Sequence, residues 1–541
     1  MQPDELITLL LKNRGLTNPG LIEEFFHPLH PDDISLLDLN LDLDLVTAAS
    51  DLIRSHINSG HKIFIYGDYD VDGLCATAVM WEAIHSVYSG VLPHIPHRRE
   101  EGYGLSRKGI DHCLSLGAKL IITVDNGIVA HEQVAYCQSK NCDLIIIDHH
   151  EPLATLPPAS VILHSTATTA AGLAWFFSRE FSKIYNLTPK TSTLELVALS
   201  VICDIIPLLG INRSLAKFGL EALNRTSRPG LLALMHSANI FPSPEFRRGD
   251  RGEVITSYHA GFIVGPRLNA MGRLEHAIDS LRLLCTTNPD KAASLARSLG
   301  DTNRSRQDLT LSAFTHAQTL IDENNLPPLI IVADTSYDEG IIGLIAGKLA
   351  EKYHRPAIAI AIGESISKGS ARSLPGFNIT DHLRSLSDLL LSVGGHAGAA
   401  GFSLNNQILD KFILAVSHPV IDPKIFVNTR RIDAKIPLAT ITYNLITKLQ
   451  DFEPYGLCNP QPVFTTSNIQ ITGISHVGRD RQHLKFRVDN LEAIWFNIPN
   501  HYNLEPSTSY DIIYKPTLNI FNGRSSLQLI IQDIIPHAPA S

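Results

Sequence analysis

The sequence predicts an α/β protein of two lobes, with a parallel-sheet core, a second, smaller α/β unit beyond a long connecting helix, and a C-terminal five-stranded β-barrel. Three observations carry this. Near-continuous apolar runs of five or six residues alternate with helical patterns from about residue 46 to 210, as expected of central parallel strands covered on both faces. A polar-apolar run from Asn288 to Asn325 reads as one long helix, stopped by Asn324-Asn325 and Pro327-Pro328. After residue 425 the pattern turns to short alternating strands separated by turn residues.

In order, residues 1–45 form a helical lead-in, ending in the acidic-apolar stretch Asp38–Asp44, where nothing chemical stands out. A first α/β domain over 46–210 holds an amphipathic helix at Val46–Ser59, strands at 62–66, 119–124 and 143–147, and helices at Leu74–Val87 and Ser192–Cys203. The connector, 211–325, has helical patterning from Leu215 to His236, an irregular stretch with Arg247, Arg248 and Arg251, and the long helix. In the second unit, 326–424, strands 329–334 and 357–362 flank a helix at Ile341–Lys352, and a helical run Leu383–Leu391 leads into a glycine-dense loop, Gly394–Gly401. Strands at 468–475, 482–488, 492–496, 509–515 and 526–532, with turns such as Asn522-Gly523, suggest a barrel of the OB type over 425–541.

At 541 residues and 44 % apolar content the chain can fill several cores. No apolar run approaches the ~18 residues of a membrane span, and MQPDELITLLLKN lacks the basic start of a signal peptide, so a soluble cytoplasmic protein is expected. Seven scattered cysteines without a C-x-x-C pair argue against a disulfide framework and a zinc ribbon. The net charge of -9 weighs against a nucleic-acid partner only weakly, because binding depends on where the basic residues lie.

The chemistry centres on GDYDVDG (67–73). Asp68, Asp70 and Asp72 follow the strand at 62–66, where an open parallel sheet binds its ligands. Three crowded carboxylates raise one another's pKa unless a cation sits among them, although an acidic turn is the plain alternative for one such heptad. Other elements end alike: strand 119–124 delivers Asp125, strand 143–147 delivers Asp148, His149 and His150, and the helix through Cys203 delivers Asp204. Oxygen ligands with one or two imidazoles suit manganese or magnesium, and two such ions sharing a carboxylate would suit phosphoryl transfer.

GDYDVDG, TVDNG (123–127), IDHH (147–150) and CDIIPL (203–208) resemble the four motifs of the DHH phosphoesterase superfamily. EGYGLS (101–106), GPRLNAMGR (265–273), NRSRQ (303–307), EGIIGLIAGKLAEKY (339–353), GGHAGAAGF (394–402) and HLKF (483–486) make the chain similar to the RecJ family of single-stranded-DNA-specific exonucleases. The resemblance implies a DHH catalytic domain at 46–210, a DHHA1 domain at 326–424 and an OB-like nucleic-acid-binding domain at 425–541. It implies 5'-to-3' degradation of single-stranded DNA to 5'-mononucleotides, in repair and recombination, with two divalent ions, Mn2+ or Mg2+. The implied metal ligands are Asp70, Asp72, Asp125 as the bridge, His149 and Asp204. Asp68 and Asp148 would orient them, and His150 would act on the scissile phosphate.

The resemblance implies Arg98, Ser370 and Arg372 for the terminal phosphate; Tyr103 could stack on a base, and Arg267, Asn269, Arg273 and Arg304 are candidates for backbone contacts along a channel between the lobes, with helix-surface salt bridges the alternative for each. Gly395 and His396 would close over the substrate. Arginine suits this duty because its planar fork grips phosphate bidentately. Single-stranded DNA is the expected partner, a single-strand-binding protein and a helicase are candidates to hand it over, and the chain is expected to act as a monomer. Two departures stand out: Asp338 where the family more often has histidine, and Cys458 where glycine is usual. The sequence ends after the barrel, so no further C-terminal domain is expected. A phosphodiesterase for short oligonucleotides or cyclic dinucleotides would need neither the connector nor the barrel, and an inactive nucleic-acid-binding scaffold would have no need of intact acids.

Overall fold

A computed structural model describes residues 2–186, 193–241, 254–478, 481–498, 504–505, 508–521 and 524–537. Ser192, the arginines at 247, 248 and 251, and the Asn522-Gly523 turn lie outside these. The chain divides into two compact units, one made of Met1–Asn269, Ala277–Arg297 and Arg431–Ser541, the other of Ala270–His276 and Ser298–Arg430.

The first unit holds a wholly parallel sheet in the order β2-β1-β3-β4-β5: β1 (Lys62–Tyr66), β2 (Val91–His94), β3 (Ala118–Val124), β4 (Asp143–Asp148) and β5 (Val161–His164). β1, β3 and β4 are the expected apolar runs, and they are buried along nearly their whole length. β2 and β5 were not foreseen. They are four-residue edges whose half-polar sequences, VLPH and VILH, carry no clear period, and Pro93 is tolerated because β2 lies at the edge. From β1 the chain steps to one side, to β2, and then crosses to β3 on the other side. This reversal opens a crevice beyond the carboxyl ends of β1 and β3. Helix Val71–His85 starts three residues nearer the strand than predicted, because Asp70 caps it, its Oδ1 accepting from Gly73 N at 3.0 Å. The run expected over Leu215–His236 is two helices, Gly210–Asn224 and Pro229–Ser237, broken before Pro229.

In the second unit β6 (Ile330–Asp334) and β7 (Ala357–Ala361) are parallel, and β8 (Ile366–Arg372), β10 (Ala399–Asn405) and β9 (Ser392–His396) continue the sheet antiparallel in that order. Two expectations fail here. The helical run Leu383–Leu391 is a short helix, Ile379–Arg384, capped by Asn378, followed by one 3-10 turn at Ser387–Leu389. The serines and Asp388 are weak helix formers that stop it early. The glycine-dense stretch is a β-hairpin instead of a loop. Glycines hide strand alternation, but Ala400, Phe402 and Leu404 bury one face of β10 and fix the pairing. At Gly395, with φ 143°, a Cβ would overlap the carbonyl of Ala399, so the hairpin needs glycine there. The long helix runs Pro289–Thr319, ending five residues before the predicted Asn324 stop.

The C-terminal strands are β11 (Ala434–Lys435), β12 (Phe464–Val477), β13 (His483–Val488), β14 (Leu491–Trp495), β15 (Ser509–Phe521) and β16 (Arg524–Pro536). Pairing of β12 with β15 closes β12-β13-β14-β16-β15 into the expected five-stranded barrel. Its core is shared with the N-terminal lead-in. Leu6, Leu10 and Leu11 of helix Pro3–Asn13 and Phe25 of helix Pro19–Phe26 pack in one cluster with Phe452, Phe464, Trp495 and Tyr514. Arg213, 1 % exposed, locks this region. Its guanidinium donates to the carbonyls of Phe25, Asp451, Phe452, Glu453 and Pro454 and lies 3.7 Å from the centre of the Phe25 ring.

Candidate metal centre

Each acid of the cluster sits where a short loop leaves a strand or helix. β1 ends at Tyr66, and Asp68 and Asp72 are buried in the loop and first helical turn beyond it. Asp125 follows β3 in the left-handed region, φ 65°, a conformation few residues other than glycine, asparagine and aspartate adopt readily. Its amide donates to Ile147 O at 3.0 Å, tying the turn to β4. Asp204 ends helix Leu194–Cys203, and Ile205 after it is left-handed as well, with φ 57°.

These side chains converge in overlapping sets whose ligand atoms lie within 4.8 Å of one another: Asp68, Asp70 and Asp125; Asp72, His149 and Asp204; and Asp125, His149 and His150. His149 Nε2 lies 3.2 Å from Asp125 Oδ1, 3.5 Å from Asp72 Oδ2 and 3.8 Å from Asp204 Oδ2. Burial, then repulsion by neighbouring carboxylates, holds Asp68, Asp70, Asp125 and Asp204 above the ordinary carboxylate range, Asp204 at about 8. Burial pulls His149 below its usual value. Asp68 Oδ2 is buried and accepts no hydrogen bond. Oxygen and imidazole donors with an orphaned carboxylate oxygen and this much uncompensated charge fit a hard divalent cation.

The supporting residues separate by how their oxygens are used. Asp72 is held at the N-terminus of helix Ala170–Tyr185: Oδ2 accepts from Ala170 N and Oδ1 from Ala171 N, both at 2.8 Å, and Oδ1 also accepts from Ser200 Oγ at 2.7 Å. Asp148 is fully engaged, with Oδ1 accepting from His149 N, His150 N and His150 Nδ1 and Oδ2 from Ile128 N. Asp148 therefore orients the two histidines. Burial alone would lower the His150 pKa, but the 2.7 Å contact with Asp148 overcomes it and raises it to about 9.

Arg98 and Tyr103 join this site through a residue that sequence reasoning passed over. The Arg98 guanidinium lies 5.1 Å from the centre of the Tyr69 ring, Tyr69 packs edge-on to Tyr103 at 6.3 Å, and Tyr103 Oη is 3.0 Å from His150 Nε2. Glu101 pins the loop between them, accepting from His97 N at 3.0 Å and lying 2.9 Å from His94 Nε2. Asn126, buried, donates to the carbonyls of Tyr66, Gly67 and Val124 and so clamps the ends of β1 and β3 together. Signals existed for two of the missed residues. Tyr69 stands between the aspartates of the first motif, and Ser200 lies one helical turn before Asp204. Arg267 is half-buried and donates to Ile263 O, and Asn269 is half-buried nearby in sequence.

Within the second unit, Ser370 and Arg372 lie on β8, with Arg372 Nη1 3.2 Å from Ser370 Oγ. Both crowd the start of helix Ile342–Tyr353, where a Cβ on Gly343 would come within 3.1 Å of each. Arg273 donates to Gly340 O in the same turn, whose shape Asp338 sets by accepting from Gly340 N. The two implied terminal-phosphate contacts, Ser370 and Arg372, and the candidate backbone contact Arg273 thus gather at one helix N-terminus. Arg304 is exposed on the long helix, and Gly395 and His396 are exposed in the hairpin. Cys458 holds φ 62°, a conformation glycine adopts without strain, which accounts for the residue usual there.

Family models match along the chain: the DHH family N-terminal domain at 62–201, the DHHA1 domain at 327–419 and the RecJ OB domain at 432–533. The single-stranded-DNA-specific exonuclease RecJ of Bacillus subtilis is 31 % identical, over 98 % of this chain and 67 % of its own length. That of Escherichia coli is also 31 % identical, over 91 % and 90 %. The crystal structure of RecJ from Thermus thermophilus in complex with Mn2+ superposes with a TM-score of 0.81 at 26 % identity, covering 98 % of this chain and 76 % of that one. Among the described residues, no helix is long and apolar enough to cross a membrane. With relatives at this identity over nearly the whole sequence and all three domain models matched in order, the chain belongs to the RecJ family of single-stranded-DNA-specific exonucleases.

Proposed function

We propose that this chain is a metal-dependent exonuclease that removes nucleotides from the 5' end of single-stranded DNA and releases 5'-mononucleotides. The observation that carries the reading is the pair of ligand sets, Asp68-Asp70-Asp125 and Asp72-His149-Asp204, with Asp125 3.2 Å from His149 and so shared between them. Two divalent ions, Mn2+ or Mg2+, are the proposed occupants, one per set. Asp68, with its unpartnered buried oxygen, is proposed as a ligand of the first ion in place of the orienting role the resemblance implied. When bound, such ions supply charge neutralisation at the phosphate and a nucleophilic hydroxide at neutral pH.

The chain's own residues do the rest. Asp72, fixed by three donors, and Asp148, fixed by four, hold His149 and His150 in place. His150, protonated near neutrality in the metal-free site, points Nε2 toward Tyr103, where it can donate to a phosphate oxygen. Arg98, stacked on Tyr69, offers its fork to a terminal phosphate. The domain division at 46–210, 326–424 and 425–541 and monomeric action are part of the proposal, as are hand-over of DNA by a single-strand-binding protein or helicase and a cytoplasmic place of action.

The test is a time course on single-stranded oligonucleotides labelled at either end, with Mn2+, Mg2+ or chelator, beside an Asp125→Ala variant. The expected result is early release of the 5' label as a mononucleotide, lost with chelator and reduced about a thousand-fold or more in the variant, the several kcal/mol that bound cations contribute. Cleavage that persists in chelator, or release of the 3' label first, would sink the reading.

A further inference from the structure

The two helices that carry Asp72 and Asp204 are tied together a second time, at their far ends, by an ion network that touches no proposed metal ligand. Asp72 stands in the first turn of helix Val71–His85, and Asp204 follows the last residue of helix Leu194–Cys203. The two acids share a ligand set with His149, and Ser200 Oγ donates to Asp72 Oδ1 at 2.7 Å. Glu82 lies ten residues after Asp72 and Glu195 nine before Asp204, about 15 and about 14 Å along their helices. Arg228 joins them. Its Nη1 and Nη2 donate to the two oxygens of Glu82, its Nε donates to Glu195 Oε1 at 2.9 Å, and Nη1 also donates to Leu284 O at 2.8 Å. The helices therefore run antiparallel, with the ligands at one end and Arg228 at the other. Arg228 is itself placed from outside the pair. It precedes helix Pro229–Ser237, whose Gly230 sits so close to helix Ile278–Cys285 that a Cβ would lie 1.8 Å from Leu283 O.

Arg228 is 5 % exposed and Glu195 3 %, and burial holds Glu195 above the ordinary carboxylate range even with a guanidinium beside it. Two carboxylates and one cation taken out of water are weak evidence for stability, because an apolar trio of similar volume avoids the desolvation. What directional bonds to both helices supply is register. An apolar seam tolerates a small slide, and a rigid fork bonded to each side does not. We propose that Arg228 is a positioning residue for the ion held by Asp72, His149 and Asp204: it fixes how helix Leu194–Cys203 lies along helix Val71–His85, and so where Asp204 stands relative to Asp72. The other ligand set does not depend on that register. Asp68, Asp70 and Asp125 follow β1 and β3, and none lies on helix Leu194–Cys203. The inference rests on the two-ion reading and names what spaces the second site.

The experiment is calorimetric titration of the full chain with Mn2+, beside urea unfolding in chelator. Two variants are compared with wild type: Arg228→Lys, which keeps the charge and loses the fork, and Arg228→Met/Glu82→Leu/Glu195→Met, which replaces the whole network by apolar side chains and leaves no buried charge unpaired. An Asp204→Asn protein marks which binding step belongs to the set Asp72-His149-Asp204. Both network variants should weaken that step about 10- to 100-fold, the range for groups that orient metal ligands, and leave the other step unchanged. The Mn2+ concentration that gives half-maximal cleavage should rise by the same factor. A role in the fold alone would lower the urea midpoint and would not separate the two steps. If the triple variant does not fold, Arg228→Lys decides by the same reading. Two wild-type steps that both weaken equally, or that both stay unchanged, in folded variants overturn the positioning role and leave the exonuclease reading standing. A single binding step in wild-type protein overturns the two-ion reading and the positioning role together, since no second ion is there to be placed.

Discussion

Two regions of the first unit bury charge in opposite ways. Around Arg213 a single cation sits among five backbone carbonyls and an aromatic face, and every partner comes from the chain itself. In the metal centre, Asp68, Asp70, Asp125 and Asp204 press together with their pKa values raised and one oxygen unpartnered. The first arrangement is complete on folding and serves stability. The second is complete only when a cation arrives from outside, so its local instability is the same physical quantity as its affinity for metal.

The largest test of this contrast is Arg213→Met. Removing the guanidinium strands several buried carbonyls, and the expected loss is about 3 to 5 kcal/mol in urea unfolding, with unchanged specific activity in the protein that remains folded. A loss under 1 kcal/mol would mean that the carbonyls find water and that the two regions differ less than claimed. Ser200→Ala comes next. It removes one of three donors to Asp72 while leaving every proposed ligand in place, and metal affinity read by calorimetry should fall about 10- to 100-fold. Activity at saturating Mn2+ should recover, and failure to recover would place Ser200 in the chemistry.

The smallest effect is a pH dependence. Asp204 titrates at about 8 in the metal-free fold and near 4 when unfolded. Its folded pKa is raised, so the metal-free protein binds more protons folded than unfolded and loses stability as pH climbs from about 4 to about 8. Metal displaces those protons. The Tm difference between Mn2+-loaded and chelator-treated protein should therefore widen by a few degrees from pH 5.5 to 8, and a difference flat with pH would contradict the uncompensated-charge picture.

The acidic centre was far more legible in the sequence than the arginine knot, for a physical reason. Asp68, Asp70, Asp72, Asp125, His149, His150 and Asp204 each end a predicted strand or helix, and local pattern locates strand ends. Arg213 acts through carbonyls that leave no trace in residue identity, and its partners lie up to 241 residues away in sequence. The same limit hid Asn126, which works on backbone oxygens, and the hairpin around Gly395, whose glycines show no alternation. Short edge strands such as β2 escaped because half their surface has no apolar requirement.

The shared core of helix Pro3–Asn13 and the barrel has a consequence for how the protein is made. Leu6, Leu10 and Leu11 close against residues such as Phe464 and Trp495, and Asn13 Nδ2 donates to Asp433 O, 420 residues on. At a synthesis rate of roughly 5 to 20 residues per second, the first helix waits roughly 20 to 80 seconds for its partner to leave the ribosome. Throughout that interval its leucine face is available to chaperones. A nascent chain that stalls before the barrel leaves that face without the partner it has in the finished fold.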